Sequence, residues 1–341
     1  MCLAKSYSQS ARSGFFVATD QFMQIHDILI VGAGPSGLSC AIEARKHGLS
    51  CIVVDKGSVV DAIRRFPVEL TFFSTPELLE IGGVPFTTSG FRPTRVECIK
   101  YYQCVARFHQ LSLRLGEEVS AIRRAGDQFI VETSEGTLLA RNVVVATGYF
   151  DNPNPFDVSG ADLPKVLRYY TEPYEYAGRD VAIVGGKNSA VEIALDLHRN
   201  GARVTLIHRG AKLSEGVKYW ILPDIENRIR AGEIMAKFET RVKEVRERSI
   251  LVEGKQTGEI PNDVVFVMIG YRPDNRLLEQ VGVEIDKESL APLHDPDTME
   301  TNVGGVFVTG SISAGKFNNK IFIENGRAHG KLIVAALTKT R

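Results

Sequence analysis

Apolar and polar residues follow one composite pattern twice along this chain. Ile28-Leu29-Ile30-Val31 is an apolar run of strand length. It is followed by the glycine-rich turn Gly32-Ala33-Gly34-Pro35-Ser36-Gly37, a stretch of helical period from Leu38 to His47, and a second apolar run ending at Asp55. The alternation predicts β-turn-α-β over residues 26–55. Val181-Ala182-Ile183-Val184, the turn Gly185-Gly186-Lys187-Asn188-Ser189-Ala190, a helix from Val191 to Arg199 and a strand Arg203–Ile207 repeat it. Between the units the pattern predicts a helix from Arg95 to His109. Short strands follow around Leu111–Leu115, Ala121–Arg124, Phe129–Thr133 and Thr137–Ala140. Asn142 to Ala146 is uniformly apolar after its first residue, as a strand buried on both faces should be.

Turn chemistry divides the chain. Asp151-Asn152-Pro153-Asn154-Pro155 cannot be helical and reads as a domain crossing. The second unit then spans roughly 165–270, closing with Val264–Gly270, and Tyr271-Arg272-Pro273-Asp274 leads back. The remainder is too small for a third domain. It carries one more buried-type strand, Gly305–Gly310, and a helix expected from about Ile321 to Thr338. The predicted fold is therefore α/β with two Rossmann-like, three-layer dinucleotide-binding domains, the second inserted into the first. The expected boundaries are 23–160 with 275–341 for one domain and 161–274 for the other, after a flexible extension at 1–22. Two linkers between the domains suit a hinge.

Composition narrows the function by exclusion. Lys plus Arg number 41 and Asp plus Glu number 41, so no basic field favours nucleic acid or anionic lipid. No apolar run approaches the roughly 18 residues of a membrane span, and Gly14–Ala18 is too short for a signal-peptide core. Five cysteines (Cys2, Cys40, Cys51, Cys98 and Cys104) form no Cys-x-x-Cys pair and no metal-ligand spacing. They read as reduced thiols of a cytoplasmic protein with no metal site.

The two turns differ in chemistry. In the first, Gly32 permits the tight turn, Gly34 lets backbone approach a pyrophosphate, and Gly37 lets helix pack on strand, with Pro35 and Ser36 between them. Asp55, followed by Lys56, ends the second strand where a carboxylate accepts ribose hydroxyls, so this site takes an adenosine without a 2′-phosphate. In the second unit the matching strand end is His208-Arg209, with Lys212 close by. Arginine there attracts a 2′-phosphate, which assigns NADPH to the second turn and FAD to the first. Lys187 occupies the place of the middle glycine, so Gly185, Gly186, Lys187, Asn188 and Ser189 form a degenerate turn.

Several longer strings carry a family likeness. They are Thr71-Phe72-Phe73-Ser74, Ala146-Thr147-Gly148-Tyr149, Gly185–Ser189, Trp220-Ile221-Leu222-Pro223, Met299–Val303 and Phe322–Arg327. With Gly32–Gly37 and Gly305–Gly310 they make the chain resemble thioredoxin-reductase-like flavoproteins, and within them the bacillithiol-disulfide reductase family. The resemblance implies FAD in the split domain, NADPH in the insert, and a homodimer. It also implies hydride transfer from NADPH to flavin N5, then reduction of a low-molecular-weight disulfide or a similar acceptor. Thr147, Gly148, Gly310 and Ser311 would lie near the flavin, Ser311 standing where generic members carry aspartate. The last helix, starting near Phe322 and Ile323, would direct its dipole at the flavin pyrimidine. Phe72, Phe73 and Tyr149 are candidates to cover the isoalloxazine, with core packing preferred for each taken singly.

Ser36 replaces a cysteine that some members carry inside the first turn, and serine cannot form a mixed disulfide. Cys40 is read as a buried helix residue, and His329 as a packing residue rather than a proton donor. An NADPH:ferredoxin or flavodoxin-type reductase, which needs no thiol, is the alternative. A flavin monooxygenase fits less well, since its F-x-G-x-x-x-H fingerprint would fall on Leu163–Tyr169, which lacks the glycine and histidine. A non-turnover redox-sensing protein that holds both nucleotides is a further reading.

Overall fold

The computed structural model describes residues 24–317 and 320–339. The expected extension at 1–22 and Cys2 lie outside the described residues. The chain begins with β1 (Ile25–Val31), α1 (Pro35–Lys46), β2 (Cys51–Asp55), α2 (Asp61–Arg64), α3 (Pro76–Leu79) and α4 (Arg95–Phe108). Then come β3 (Leu113–Leu115), β4 (Val119–Ala125), β5 (Gln128–Thr133) and β6 (Gly136–Val145). β2, β1 and the second half of β6 run parallel, with β3 outside β2. Their apolar runs are buried on both faces: Ile28, Leu29, Ile30, Val53, Val143 and Val144 are fully covered.

β6 departs from the sequence pattern. Two strands are expected over 137–146, and one ten-residue strand forms. Its first half pairs antiparallel with β5, and its second half pairs parallel with β1. The polar residues that suggest a break, Arg141 and Asn142, are accommodated at the exchange point. Arg141 pairs with Asp27 at 3.1 Å, and Asn142 Nδ2 donates to the Asp27 carbonyl at 3.0 Å.

The second unit comprises β7 (Val166–Leu167), β8 (Asp180–Val184), α5 (Asn188–Arg199), β9 (Arg203–Ile207), α6 (Leu222–Arg230) and β10 (Met235–Lys237). It continues through β11 (Thr240–Val245), β12 (Ser249–Gly254), β13 (Gly258–Pro261) and β14 (Val264–Val267). A parallel sheet of order β10-β9-β8-β14-β7 carries α5 on one face. The antiparallel sheet β11-β12-β13 covers the other, burying Val242, Ile250 and Val252 against Ala182, Val265 and Val267. Three layers result.

The chain then returns through α7 (Arg276–Gln280) to β15 (Val306–Val308), which pairs parallel with the end of β6 and completes the first sheet. The single C-terminal helix expected is two: α8 (Ile323–Gly326) and α9 (His329–Lys339). α9 packs along α1. At Gly330 a Cβ would stand 2.6 Å from the Cα of Cys40, so the two helix backbones touch. The crossings also differ from two free linkers. Asn154 N donates to Gly270 O at 3.0 Å and Arg272 N to Asn152 O at 2.9 Å, making one antiparallel ribbon. Phe150, Tyr169 and Tyr271 stack on it with centroids 4.9 to 6.0 Å apart. No helix among the described residues is long and apolar enough to cross a membrane.

Because the Cβ of Gly330→Ala would meet backbone rather than a movable side chain, the substitution should cost about 1–3 kcal/mol of stability. A lowered urea midpoint checks this. An unchanged midpoint would show that α1 and α9 can separate freely.

Candidate active site

The ends of β1, β2, β6 and β15 and the starts of α1 and α8 meet at the C-terminal edge of the first sheet. Gly32 leaves β1 with φ +115°, a conformation open to glycine, and a Cβ there would stand 2.5 Å from the Ala146 carbonyl oxygen. Gly37 packs its Cα onto the Gly32 carbonyl, leaving no room for a side chain. Gly34, the N-cap of α1, faces open space. No side chain caps this helix and its first turn holds no acid, so the N–H groups behind Gly34 are available to an anion. Asp55 secures the turn from β2. Its Oδ2 accepts from Ala33 N and its Oδ1 from Gly57 N, each at 2.7 Å. Burial pushes the Asp55 carboxyl above its ordinary pKa, and these two N–H bonds pull against that rise.

A cavity of about 620 Å³ opens from this turn, within the usual range for small-molecule sites. It is lined by Gly32, Gly34, Pro35, Ser36, Asp55, Lys56, Thr147, Gly148, Gly310, Ser311, Phe322 and Ile323. Of the thirteen residues assigned to FAD from sequence, only Gly37 is not on its wall, because it lies beneath the turn. An uncapped helix start, an open glycine, a carboxylate at the neighbouring strand end and a cavity of this size fit the phosphates and ribose of FAD.

Other wall residues carried no sequence signal. Glu117–Ser120 arrive from the turn into β4, and Asp274, Arg276 and Gln280 from the return of the chain at α7. Glu117 is buried and accepts from Thr133 Oγ1 at 2.5 Å. Phe72, Phe73 and Tyr149 all line the cavity, and Phe73 is 58 % exposed, so core packing is not its role. The expected long-helix dipole also needs correction. α8, which starts at the cavity, is four residues long, while the longer α9 starts at His329, off the cavity wall. His329 is half-buried, its Nδ1 accepting from Gly310 N at 3.3 Å.

Among the described residues, the thiols of Cys40, Cys51, Cys98 and Cys104 stand apart from the cavity and none lines it. Cys40 and Cys98 are fully buried, and Cys104 is exposed on α4. Burial raises the Cys40 thiol well above its ordinary pKa and pushes Cys51 up to about 12. Both remain unreactive thiols at neutral pH. The Ser36 hydroxyl points between two glycines, 2.7 Å from where a Cβ of Gly310 would be and 2.9 Å from that of Gly326.

The second turn lies outside this cavity. Gly185 has φ +153°, and its Cβ would stand 2.5 Å from the Met268 carbonyl oxygen. Lys187 is the exposed N-cap of α5, which no side chain caps. Asn188 accepts from Lys218 N at 2.7 Å and donates to Gly216 O at 2.9 Å, so it holds a loop. His208 packs its ring against Gly186 and Gly210, beneath the turn. Arg209, Lys212 and Ser189 are exposed, and Lys212 pairs with Glu215 at 2.9 Å. The basic strand end thus divides into a half-buried support, His208, and an exposed cation, Arg209.

Two parallel-sheet units, each with a glycine turn before an uncapped helix, define the class of dinucleotide-dependent flavoprotein oxidoreductases. The family model for pyridine nucleotide-disulphide oxidoreductases matches residues 29–310, and the chain belongs to that family. A curated relative, bacilliredoxin reductase Bdr of Bacillus subtilis, is 43% identical over 314 residues, covering 91% of this chain and 97% of the relative. The solved bacillithiol disulfide reductase Bdr of Bacillus cereus is 42% identical, with TM-score 0.91, over 93% of this chain and all of that one. Its counterpart from Staphylococcus aureus is 38% identical, with TM-score 0.91, over 94% of this chain and all of that one. The protein is an FAD-dependent, NADPH-oxidising reductase of the bacillithiol-disulfide-reductase branch.

Burial, followed by the neighbouring Arg209, lowers the His208 pKa from 6.5. The unfolded chain therefore takes up a proton before the native state does. The stability associated with neutral His208 is complete above about pH 6.5 and lost as pH falls below it. Between about pH 7.5 and about pH 5.5, His208→Gln should make the fall of the urea midpoint shallower. An unaltered slope would remove His208 from the support of the turn.

Proposed function

We propose that the cavity holds FAD, that the second turn holds NADPH, and that the reduced flavin passes its electron pair directly to a low-molecular-weight disulfide or a similar small acceptor. The observation that carries the reading is the cavity wall. It gathers twelve sequence-assigned flavin residues and no thiol. Residues 23–160 with 275–341 would form the flavin domain and 161–274 the NADPH domain. A cytoplasmic homodimer follows from the family likeness.

When bound, FAD would supply two-electron chemistry, taking a hydride from reduced nicotinamide and passing two electrons and one proton to the acceptor, so that one disulfide, with a second proton from solvent, becomes two thiols. The chain's residues bind and orient. The N–H groups of α1 face the pyrophosphate across Gly34, which has no Cβ to keep them apart. Asp55 keeps lone pairs for ribose hydroxyls while holding Ala33 and Gly57. Thr147, Gly148, Gly310 and Ser311 bound the cavity where the ends of β6 and β15 converge. Phe72, Phe73 and Tyr149 present ring surface for the isoalloxazine. In the second unit, Arg209 meets the 2′-phosphate with a guanidinium, and Lys187 and the start of α5 meet the pyrophosphate.

Under anaerobic conditions NADPH should bleach the yellow protein far faster than NADH, and failure to bleach would sink the reading. Arg209→Ala should raise KM for NADPH by about tenfold and leave KM for NADH nearly unchanged. Equal effects would refute the nucleotide assignment. Replacing all five cysteines should leave both flavin reduction by NADPH and reoxidation by bacillithiol disulfide intact in stopped flow. If reduction survives but disulfide reoxidation is lost, an enzyme thiol takes part. Reoxidation by ferredoxin but not by the disulfide would favour the ferredoxin-type reductase.

A further inference from the structure

One buried cation outside the cavity joins the two units. The Lys218 side chain is 8 % exposed, and its ammonium pairs with the Glu192 carboxylate on α5. The same nitrogen donates to the Thr71 carbonyl of the first unit at 3.0 Å. A buried ammonium is costly unless its donors are met. Here one partner belongs to each unit, so the charge is satisfied only at this separation of the two.

The lysine is also tied to the second turn. Its backbone N–H donates to Asn188 Oδ1 at 2.7 Å, at the first residue of α5. A hydrogen-bonded path therefore runs from the second glycine turn through Lys218 to Thr71, two residues from Phe73 on the cavity wall. A second contact crosses the same gap. Arg92 of the first unit lies 4.2 Å from the Trp220 ring centroid and donates its Nε–H to Phe73 O at 2.8 Å. The rings of Phe73 and Trp220 are 5.4 Å apart.

We infer that Lys218 is an interdomain positioning residue for the reduction of flavin by NADPH. With the Arg92–Trp220 contact it fixes the distance and angle at which the second turn presents its nucleotide to the cavity. The inference rests on the assignment of NADPH to that turn. Lys218 acts through placement, and the transfer is steeply sensitive to it, since a shift of about 1 Å can cost about a hundredfold in rate.

Trp220 is the only tryptophan in the chain, so its fluorescence reports on this contact alone. In the holoenzyme, Lys218→Met should raise acrylamide quenching of Trp220 by about twofold and slow anaerobic flavin reduction by about tenfold, with NADP⁺ affinity within about twofold of wild type. Lys218→Arg should restore part of both. Arg92→Ala, at a half-buried position, should shift quenching and rate the same way and serves if Lys218→Met fails to fold. Quenching unchanged in the variants, or a rate loss matched by an equal loss of NADP⁺ affinity, would overturn the inference. Failure of the nucleotide assignment is read separately, because Arg209→Ala then leaves KM for NADPH at the wild-type value.

Discussion

The close approach of backbone to backbone at the end of β1 is the constraint on which the first unit depends. Gly32 stands against the Ala146 carbonyl, and Gly37 against the carbonyl of Gly32. These contacts bring the start of α1 and the end of β6 to one point, and a side chain at either glycine would separate them. The cavity exists because the elements converge there. Asp55 then keeps the convergence in place by accepting from the turn at Ala33 N with one oxygen and from Gly57 N, just past its own strand, with the other, at the expense of some carboxylate solvation. Structural support and the proposed ribose recognition thus fall on one carboxylate.

The second unit reaches a similar convergence by different means. Gly185 faces the Met268 carbonyl as Gly32 faces that of Ala146, but no carboxylate stands behind the turn. The imidazole of His208 fills that place, sandwiched by Gly186 and Gly210. The ring supports the backbone without placing a negative charge near a phosphate. It leaves Arg209 at the surface, where a guanidinium is useful. The divergence at two strand ends, Asp55 and His208-Arg209, is therefore a divergence in how each turn is braced as well as in which nucleotide it suits.

The described thiols are spatially separate from the cavity proposed for the flavin. Cys40 lies one helical turn beyond the glycine turn, yet it is sealed against Gly330, where α9 packs on α1. Ser36, within the turn itself, points between Gly310 and Gly326. A side chain at position 36 therefore faces the junction of α1 with the last segment of the chain. The packing of α9 on α1 at Gly330 is thus the contact that buries Cys40.

Twelve of the thirteen residues assigned to FAD line the cavity, several of them through the family likeness, while the α/β class, both glycine turns and the strand-end charges were legible in local sequence. Their signals are local: a positive φ requires glycine, an apolar run of strand length requires burial, and a strand-end charge selects a phosphate pattern. The third sheet, β11-β12-β13, was not legible, because its alternation is short and its partner face lies on β8 and β14. The joining of two linkers into one ribbon, the splitting of α8 from α9, and the addition of Glu117 and Arg276 to the cavity wall were equally hidden. Each depends on which distant backbone comes within hydrogen-bonding or van der Waals reach. By itself the sequence determined that two dinucleotide turns exist and what charge each presents. Only the tertiary structure decided how they face one another, because that geometry is set by contacts such as Lys218 to Thr71 between residues far apart in the chain.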